Sequence, residues 1–597
     1  MAGGERWTRQ PYCKSIRERR ASLDQFDKLR KEREFQRSFL PEDADLGQWE
    51  TIAPYFEALL KRSLDSVAEL ERWLLDQSEL LAAIEEEAAV RYIRMTCHTD
   101  DLACEAAYLH YVEHVLPEVE RARFALNRYY VAAPARSELP PERYFVYDRA
   151  RRNEVELFRE ENVALKTEDE KLSQRYQKIY GEMTAEFQGR EQTLPQLSRY
   201  LEETDRGVRR DAWCAATARQ LRDREEIESL FDEMIALRTQ IAHNAGFENF
   251  LEYQFRNLGR FDYTPADCEA LHATIERTVV PLVRAMRERR RQQLGLARLA
   301  PWDLAVDPLG RPPLRPFEGV EQLVSGVRAV FAAVDPRFAE EFDILRERGL
   351  LDLDSRKGKA PGGYQSTLDE VRLPFIFMNA AGRNRDVFTL LHEGGHAFHA
   401  LATRTEPLLA YRHAPIEFCE VASMGMEMMA CECLSVFYSP EDAQRARTMH
   451  LEEVLEILPW IARVDAFQHW LYRNPKHTRQ ERAAMWLELE RRFGDELEWS
   501  ELPEWRECSW IGKLHFFCVP LYYIEYAIAQ IGALQLWERF RGQREQAIEG
   551  YRSALRLGGA RPLPELFETA GSRFAFDEAT VAPLAQQVAV AIREDEK

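Results

Sequence analysis

Two histidines four residues apart, His392 and His396, with an acid, Glu393, directly after the first, form the clearest chemical constellation in the sequence. On a helix four residues advance by about 400°, so both imidazoles leave one face and can grip a single ion. Glu393 then lies close enough to take a proton from a water held by that ion. Val387, Phe388, Leu390, Leu391, Ala397 and Phe398 supply the apolar positions of a buried helix around the motif. Gly394 and Gly395 oppose helix formation by about 1 kcal/mol each relative to alanine, so they require a reason such as close backbone packing.

A motif this short gains force only with a third ligand. His399 falls near the same helical face, but a third donor on one rigid helix crowds a tetrahedral site, which suits His399 better to helix packing or to supporting a ligand. The longer pattern HExxHxxGxxH fails, because Ala402 stands at its last ligand position. Glu420 is the better candidate. It lies 28 residues beyond His392, enough for the helix to end, turn and return antiparallel. Glu417 could compete or be a surface carboxylate, and Glu427 could orient a ligand imidazole or serve a structural salt bridge. Two histidines and a carboxylate suit one zinc ion per chain and leave one position open for water, whose pKa zinc lowers to about 7. Cobalt or manganese also fits such a donor set.

Amide hydrolysis needs a second group to stabilise the oxyanion. His515, Tyr522, Tyr523 and Tyr526 cluster around Pro520, which suits the first turn of a helix. Such a helix would bring Tyr526 beside both Tyr522 and Tyr523. An aromatic stripe at helical spacing is also what a plain core helix shows.

These residues must be positioned by a largely helical chain. Residues 52–84, 227–242 and 271–294 carry apolar side chains at three- and four-residue spacing with charges between them. Pro- and Gly-rich punctuation falls at 139–141, 301–316 and 357–364. Residues 372–379, RLPFIFMN, break the helical texture and read as a short strand, either buried in a small sheet or at an edge where an extended peptide adds. The length of 597 residues exceeds one compact core. A helical region over 1–200 followed by a catalytic region over 201–597 is the expected division.

Composition limits the partners. The net charge of −20 argues against nucleic acid, and the basic run at 287–291 suits a solvated helix face. None of the ten cysteines forms a CxxC pair, which points to reduced thiols in a cytoplasm. The first twenty residues lack the apolar core of a secretory signal, and no apolar run reaches membrane-spanning length. A soluble, cytoplasmic protein is expected.

The order HEGGHAFH, EFCEVAS, HFFCVPLYYIEYAIAQ resembles the thimet oligopeptidase / oligoendopeptidase F family of zinc metallopeptidases, and within it the bacterial oligoendopeptidase branch. Residues 255–265, 301–304 and 358–365 carry the likeness further. The resemblance implies a mainly α body with a deep substrate channel, an HExxH helix at its floor and a small β-sheet beside it. It assigns His392, His396 and Glu420 to zinc and Glu393 to the general base. His515, Tyr523 and Tyr526 become substrate or oxyanion contacts, residues 372–379 an edge strand that pairs with the peptide, and 362–364 a substrate loop. The implied activity is cleavage of internal bonds in short peptides. Release of C-terminal dipeptides on the same scaffold, and peptide binding without catalysis, are the alternatives.

Overall fold

The computed structural model describes residues 25–595, apart from 357, 361, 495 and 496; the N-terminal signal reading lies outside the described residues. The protein is mainly α, with two small sheets among the described residues. Five helices matter most here: α1 (Val67–Cys97), α2 (Asn384–Thr403), α3 (Ile416–Ala430), α4 (Pro440–Arg473) and α5 (Ile524–Gly542). Of the expected helical stretches, 227–242 lies within one helix, Arg224–Asn244. The stretch 52–84 divides between Trp49–Leu60 and α1, whose start is fixed by the Ser66–Glu69 capping box. The stretch 271–294 breaks at Val279, two residues before Pro281. Among the described residues no helix is long and apolar enough to cross a membrane. The nine described cysteines are free.

A hairpin of β1 (Thr184–Phe187) and β2 (Arg190–Thr193) stands apart from a three-stranded sheet of β3 (Leu351–Asp354), β4 (Tyr364–Leu368) and β5 (Leu373–Ala380). The order β3-β5-β4 corrects the edge-strand expectation. β5, the strand read from residues 372–379, is central, parallel to β3 and antiparallel to β4 in the register Gln365↔Ile376 and Leu368↔Leu373. Its six consecutive buried residues are the mark of a strand covered on both faces. The two edge strands of this sheet are β3 and, across β5 from it, β4. Tyr364 begins it, stacked on Phe377 at 4.7 Å and hydrogen-bonded to Thr96 of α1 at 2.6 Å, so it is a tethered strand residue and not part of a loose loop.

The main core joins α2, α3, α4, α5 and the sheet. A second core gathers Leu40, Trp73, Tyr130 and Tyr147 with Leu409 and Tyr411 from the chain just after α2.

Candidate active site

The two glycines of the histidine motif have a steric reason. A Cβ on Gly395 would fall 2.5 Å from the Ala422 carbonyl oxygen and 2.6 Å from Ser423 Cα, both backbone atoms of α3. A Cβ on Gly394 would fall 2.5 Å from the Phe331 ring. α3 therefore lies directly on the backbone of α2, and Tyr551 secures it by donating to the Ala422 carbonyl at 2.6 Å. This close approach carries Glu420 to the histidines.

His392 Nε2 is 3.5 Å and His396 Nε2 3.8 Å from Glu420 Oε2, and the two imidazoles stand at 82° to one another. The outer atoms of all three are held. Glu427 Oε1 lies 2.7 Å from His392 Nδ1, and the Cys419 carbonyl accepts from His396. Ser423 donates to Glu420 Oε2 at 3.1 Å and Tyr522 to Oε1 at 3.0 Å. Two imidazoles with their far nitrogens engaged and a braced carboxylate leave three lone pairs converging, a donor set that fits zinc.

Electrostatics separate the roles. Desolvation works to lower His392, but Glu427 and Glu420 outweigh it and push the imidazole up to about 10. His396, with less carboxylate support, is driven well below its ordinary value by burial and by His392. Burial lifts the Glu393 carboxyl to about 7, with His392 opposing and Glu420 adding to the rise. The backbone N–H of Gln365, in β4, donates to Glu393, so the acid faces the free side of that strand. Glu453 on α4 is exposed, yet desolvation pushes it up to about 7 against the pull of Arg385.

Pro520 does not start a helix. α5 begins at Ile524, and the chain turns through Leu521 at φ 65°, a left-handed conformation unusual for leucine. Arg260 holds this turn, donating to the Leu521 carbonyl and to Glu525 Oε1, each at 2.6 Å, while Gln468 accepts from the Leu521 N–H at 2.6 Å. The turn still groups the aromatic rings. His515 lies 4.7 Å from Tyr523 and 6.1 Å from Tyr526, and Tyr526 lies 5.3 Å from Tyr522 and 5.4 Å from Tyr523. Trp460 donates to the Tyr523 hydroxyl at 3.1 Å, leaving the phenol's own proton free. His515 Nδ1 has no hydrogen-bond partner among the described residues, and burial lowers this imidazole to about 3.

The other sequence candidates resolve differently. Glu417 is neither a competing ligand nor a surface group: it is buried, accepts from Tyr263 at 2.6 Å and lies 4.0 Å from Arg260. His399 is buried against Phe418, outside the convergent group. Arg260, Ser423, Gln365 and Trp460 were not singled out from sequence. Arg260 lies within the 255–265 segment, but Leu521 and Glu525, to which it donates, are 261 and 265 residues away.

The fold and this site define a helical peptidase. Residues 199–585 match the model of peptidase family M3 and residues 43–158 that of the peptidase M3 N-terminal domain, so the chain belongs to peptidase family M3. Its likeness within the family is to oligoendopeptidase F proteins. An oligoendopeptidase F homolog of Borreliella burgdorferi is 25% identical over 234 residues, 37% of this chain and 38% of that protein. Oligopeptidase PepF of Bacillus subtilis is 26% identical over 257 residues, 39% of this chain and 35% of the relative. The matched segments thus span little more than a third of these relatives. Solved structures align more widely. PZ peptidase A, determined with an inhibitor, superposes with a TM-score of 0.87 at 28% identity over 94% of this chain and all of the other. A protein described as an oligoendopeptidase F from Bacillus anthracis gives 0.82 at 27% identity, over 94% and 99%.

Proposed function

We propose that the protein is a zinc-dependent endopeptidase of short oligopeptides, with His392, His396 and Glu420 as metal ligands and Glu393 as general base. The observation that carries this reading is the convergence of the three donors beside a buried acid that faces a free strand edge. Zinc held there supplies Lewis acidity toward the scissile carbonyl and makes water acidic enough to react near neutral pH.

The chain's own groups do the rest. A peptide extended along β4 takes strand hydrogen bonds from its free side, which sets its carbonyl between the ligands and the aromatic cluster. Glu393, poised near 7, accepts a proton as water adds to the carbonyl carbon. It returns that proton to the amide nitrogen as the C–N bond breaks. Tyr523, whose proton is free, donates to the developing oxyanion, with Tyr526 and His515 beside it. Tyr522 instead braces Glu420. In this reading residues 201–597 form the catalytic region, 1–200 flank it, and a cytoplasmic setting keeps the thiols reduced.

Lys513 favours a second reading. Its ammonium, lowered to about 8 by desolvation and by Arg385, lies 4.3 Å from the Tyr523 ring centroid and has no carboxylate partner among the described residues. A cation so placed suits a substrate's terminal carboxylate, as release of C-terminal dipeptides requires.

Mass spectrometry of a mixed peptide library, with and without chelator, tests both. Internal cuts abolished by chelator and restored by zinc support the endopeptidase. Stepwise loss of C-terminal dipeptides transfers the assignment to the second reading, and absence of cleavage by the zinc-loaded protein refutes both.

A further inference from the structure

A second cluster of metal-ligating side chains lies away from the candidate active site, between α4 and the helix Pro265–Thr278. Each helix contributes a pair at four-residue spacing, Cys268 with His272 and Asp465 with His469, so each pair leaves one face of its helix. All four are buried, and Asp465 is fully sealed from solvent. The ligand atoms of Cys268, Asp465 and His469 all lie within 4.8 Å of one another. His272 Nε2 is 2.8 Å from Asp465 Oδ2.

Hydrogen bonding alone leaves this cluster incomplete. Among the described residues Asp465 Oδ1 has no hydrogen-bond partner. His469 Nε2 is 3.2 Å from Asp465 Oδ2 and Nδ1 is 3.5 Å from Glu269 Oε1, yet neither nitrogen makes an aligned hydrogen bond. An orphaned buried carboxylate oxygen, two unaligned imidazole nitrogens and a thiol at one point are what a cation would satisfy together. Glu269 behind His469, itself paired with Arg473 at 2.5 Å, repeats the placement of Glu427 behind His392.

We propose that this cluster binds a structural zinc ion through Cys268, Asp465 and His469, with His272 bracing Asp465 from behind through its 2.8 Å hydrogen bond. Sulfur, nitrogen and oxygen donors together select zinc over magnesium or calcium. Binding releases the Cys268 thiol proton to solvent. The ion fastens the helix Pro265–Thr278 to α4. The chain just before that helix carries Arg260, which holds the Leu521 turn. This proposal stands apart from the peptidase mechanism and does not depend on it.

The test is metal content and spectroscopy on the full chain. Elemental analysis of zinc-saturated protein is expected to find two ions per chain, one surviving in a His392→Ala/His396→Ala variant and one in a Cys268→Ser/Asp465→Asn variant. A single ion, lost completely from the His392→Ala/His396→Ala variant, overturns the proposal. Cobalt-loaded wild type provides a readout that no folding defect can confuse. The proposed active-site ligands contain no sulfur, so a thiolate-to-cobalt charge-transfer band present in the wild type and absent from Cys268→Ser is assigned to the buried cluster. Saturated wild type without that band also overturns the proposal.

Discussion

The cluster at His392, His396 and Glu420 and the cluster at Cys268, Asp465 and His469 are built on the same grammar. Each places donors four residues apart on one helix, adds a donor from a neighbouring helix and sets a carboxylate behind an imidazole. They differ in what surrounds them. The side chains of His392 and His396 keep 24% and 18% of their accessible surface, whereas Asp465 keeps none and His469 4%. The first cluster also has a buried acid at its flank and a strand edge across from it; the second has packed helix on its sides. Donor type and spacing therefore describe the capacity to hold an ion. An open side and a base of suitable pKa distinguish a site for chemistry from a clasp.

The comparison breaks most sharply at Glu393. Glu393→Gln is expected to reduce turnover by about 10²- to 10⁴-fold while leaving bound metal unchanged. Near-normal peptide cleavage by that variant would remove the feature said to set the first cluster apart. A weaker test uses His399, on α2 beside the first cluster but without a carboxylate partner. Burial lowers its imidazole to about 4 from 6.5, with His413 adding to the effect. Between those values the unfolded chain binds the extra proton, so stability is complete above 6.5 and falls as pH drops toward 4, by up to about 3 kcal/mol. Urea midpoints of the wild type and His399→Phe, followed over that range, should show a steeper acid loss in the wild type. Equal slopes would show that this histidine is not held neutral.

The outer carboxylates sharpen the comparison further. Glu427→Ala should weaken metal binding at the first cluster by about 10- to 100-fold, and Glu269→Ala should act in the same direction at the second, measured by competition with a chelator. An effect at Glu427 alone would make the resemblance between the clusters superficial. Smaller still is Tyr522→Phe, which removes the 3.0 Å bond to Glu420. Metal affinity should fall about tenfold, with the pH-rate profile unchanged in shape.

Sequence patterning carried the helical class, the pairing of His392 with His396 on one helix and the return of Glu420 on the next. Those relations follow from helical periodicity over short distances. The sheet order did not, because a continuous apolar run such as 373–378 fits any covered strand, and only pairing with β3 and β4 shows that it is the central one. The tyrosine turn departs from its sequence pattern for a related reason. Proline at 520 permits a helix start, but Arg260 and Gln468, distant in sequence, stabilise a left-handed Leu521 and delay α5. Gln365 was invisible as well, since its contribution to Glu393 is a backbone N–H that any non-proline residue could offer.

The backbone contact between α2 and α3 at Gly395 acts as a mechanical gauge. Its interval is set by a missing methyl group, so repacking of surrounding side chains cannot widen or narrow it much. Tolerance at the site is consequently gathered into one position. Serine, alanine and every larger residue share the same first carbon, and each would wedge the helix bearing Glu420 away from the histidines. A chemically mild exchange at Gly395 should thus act like a misplaced spacer in a lock, leaving each part intact and the alignment lost.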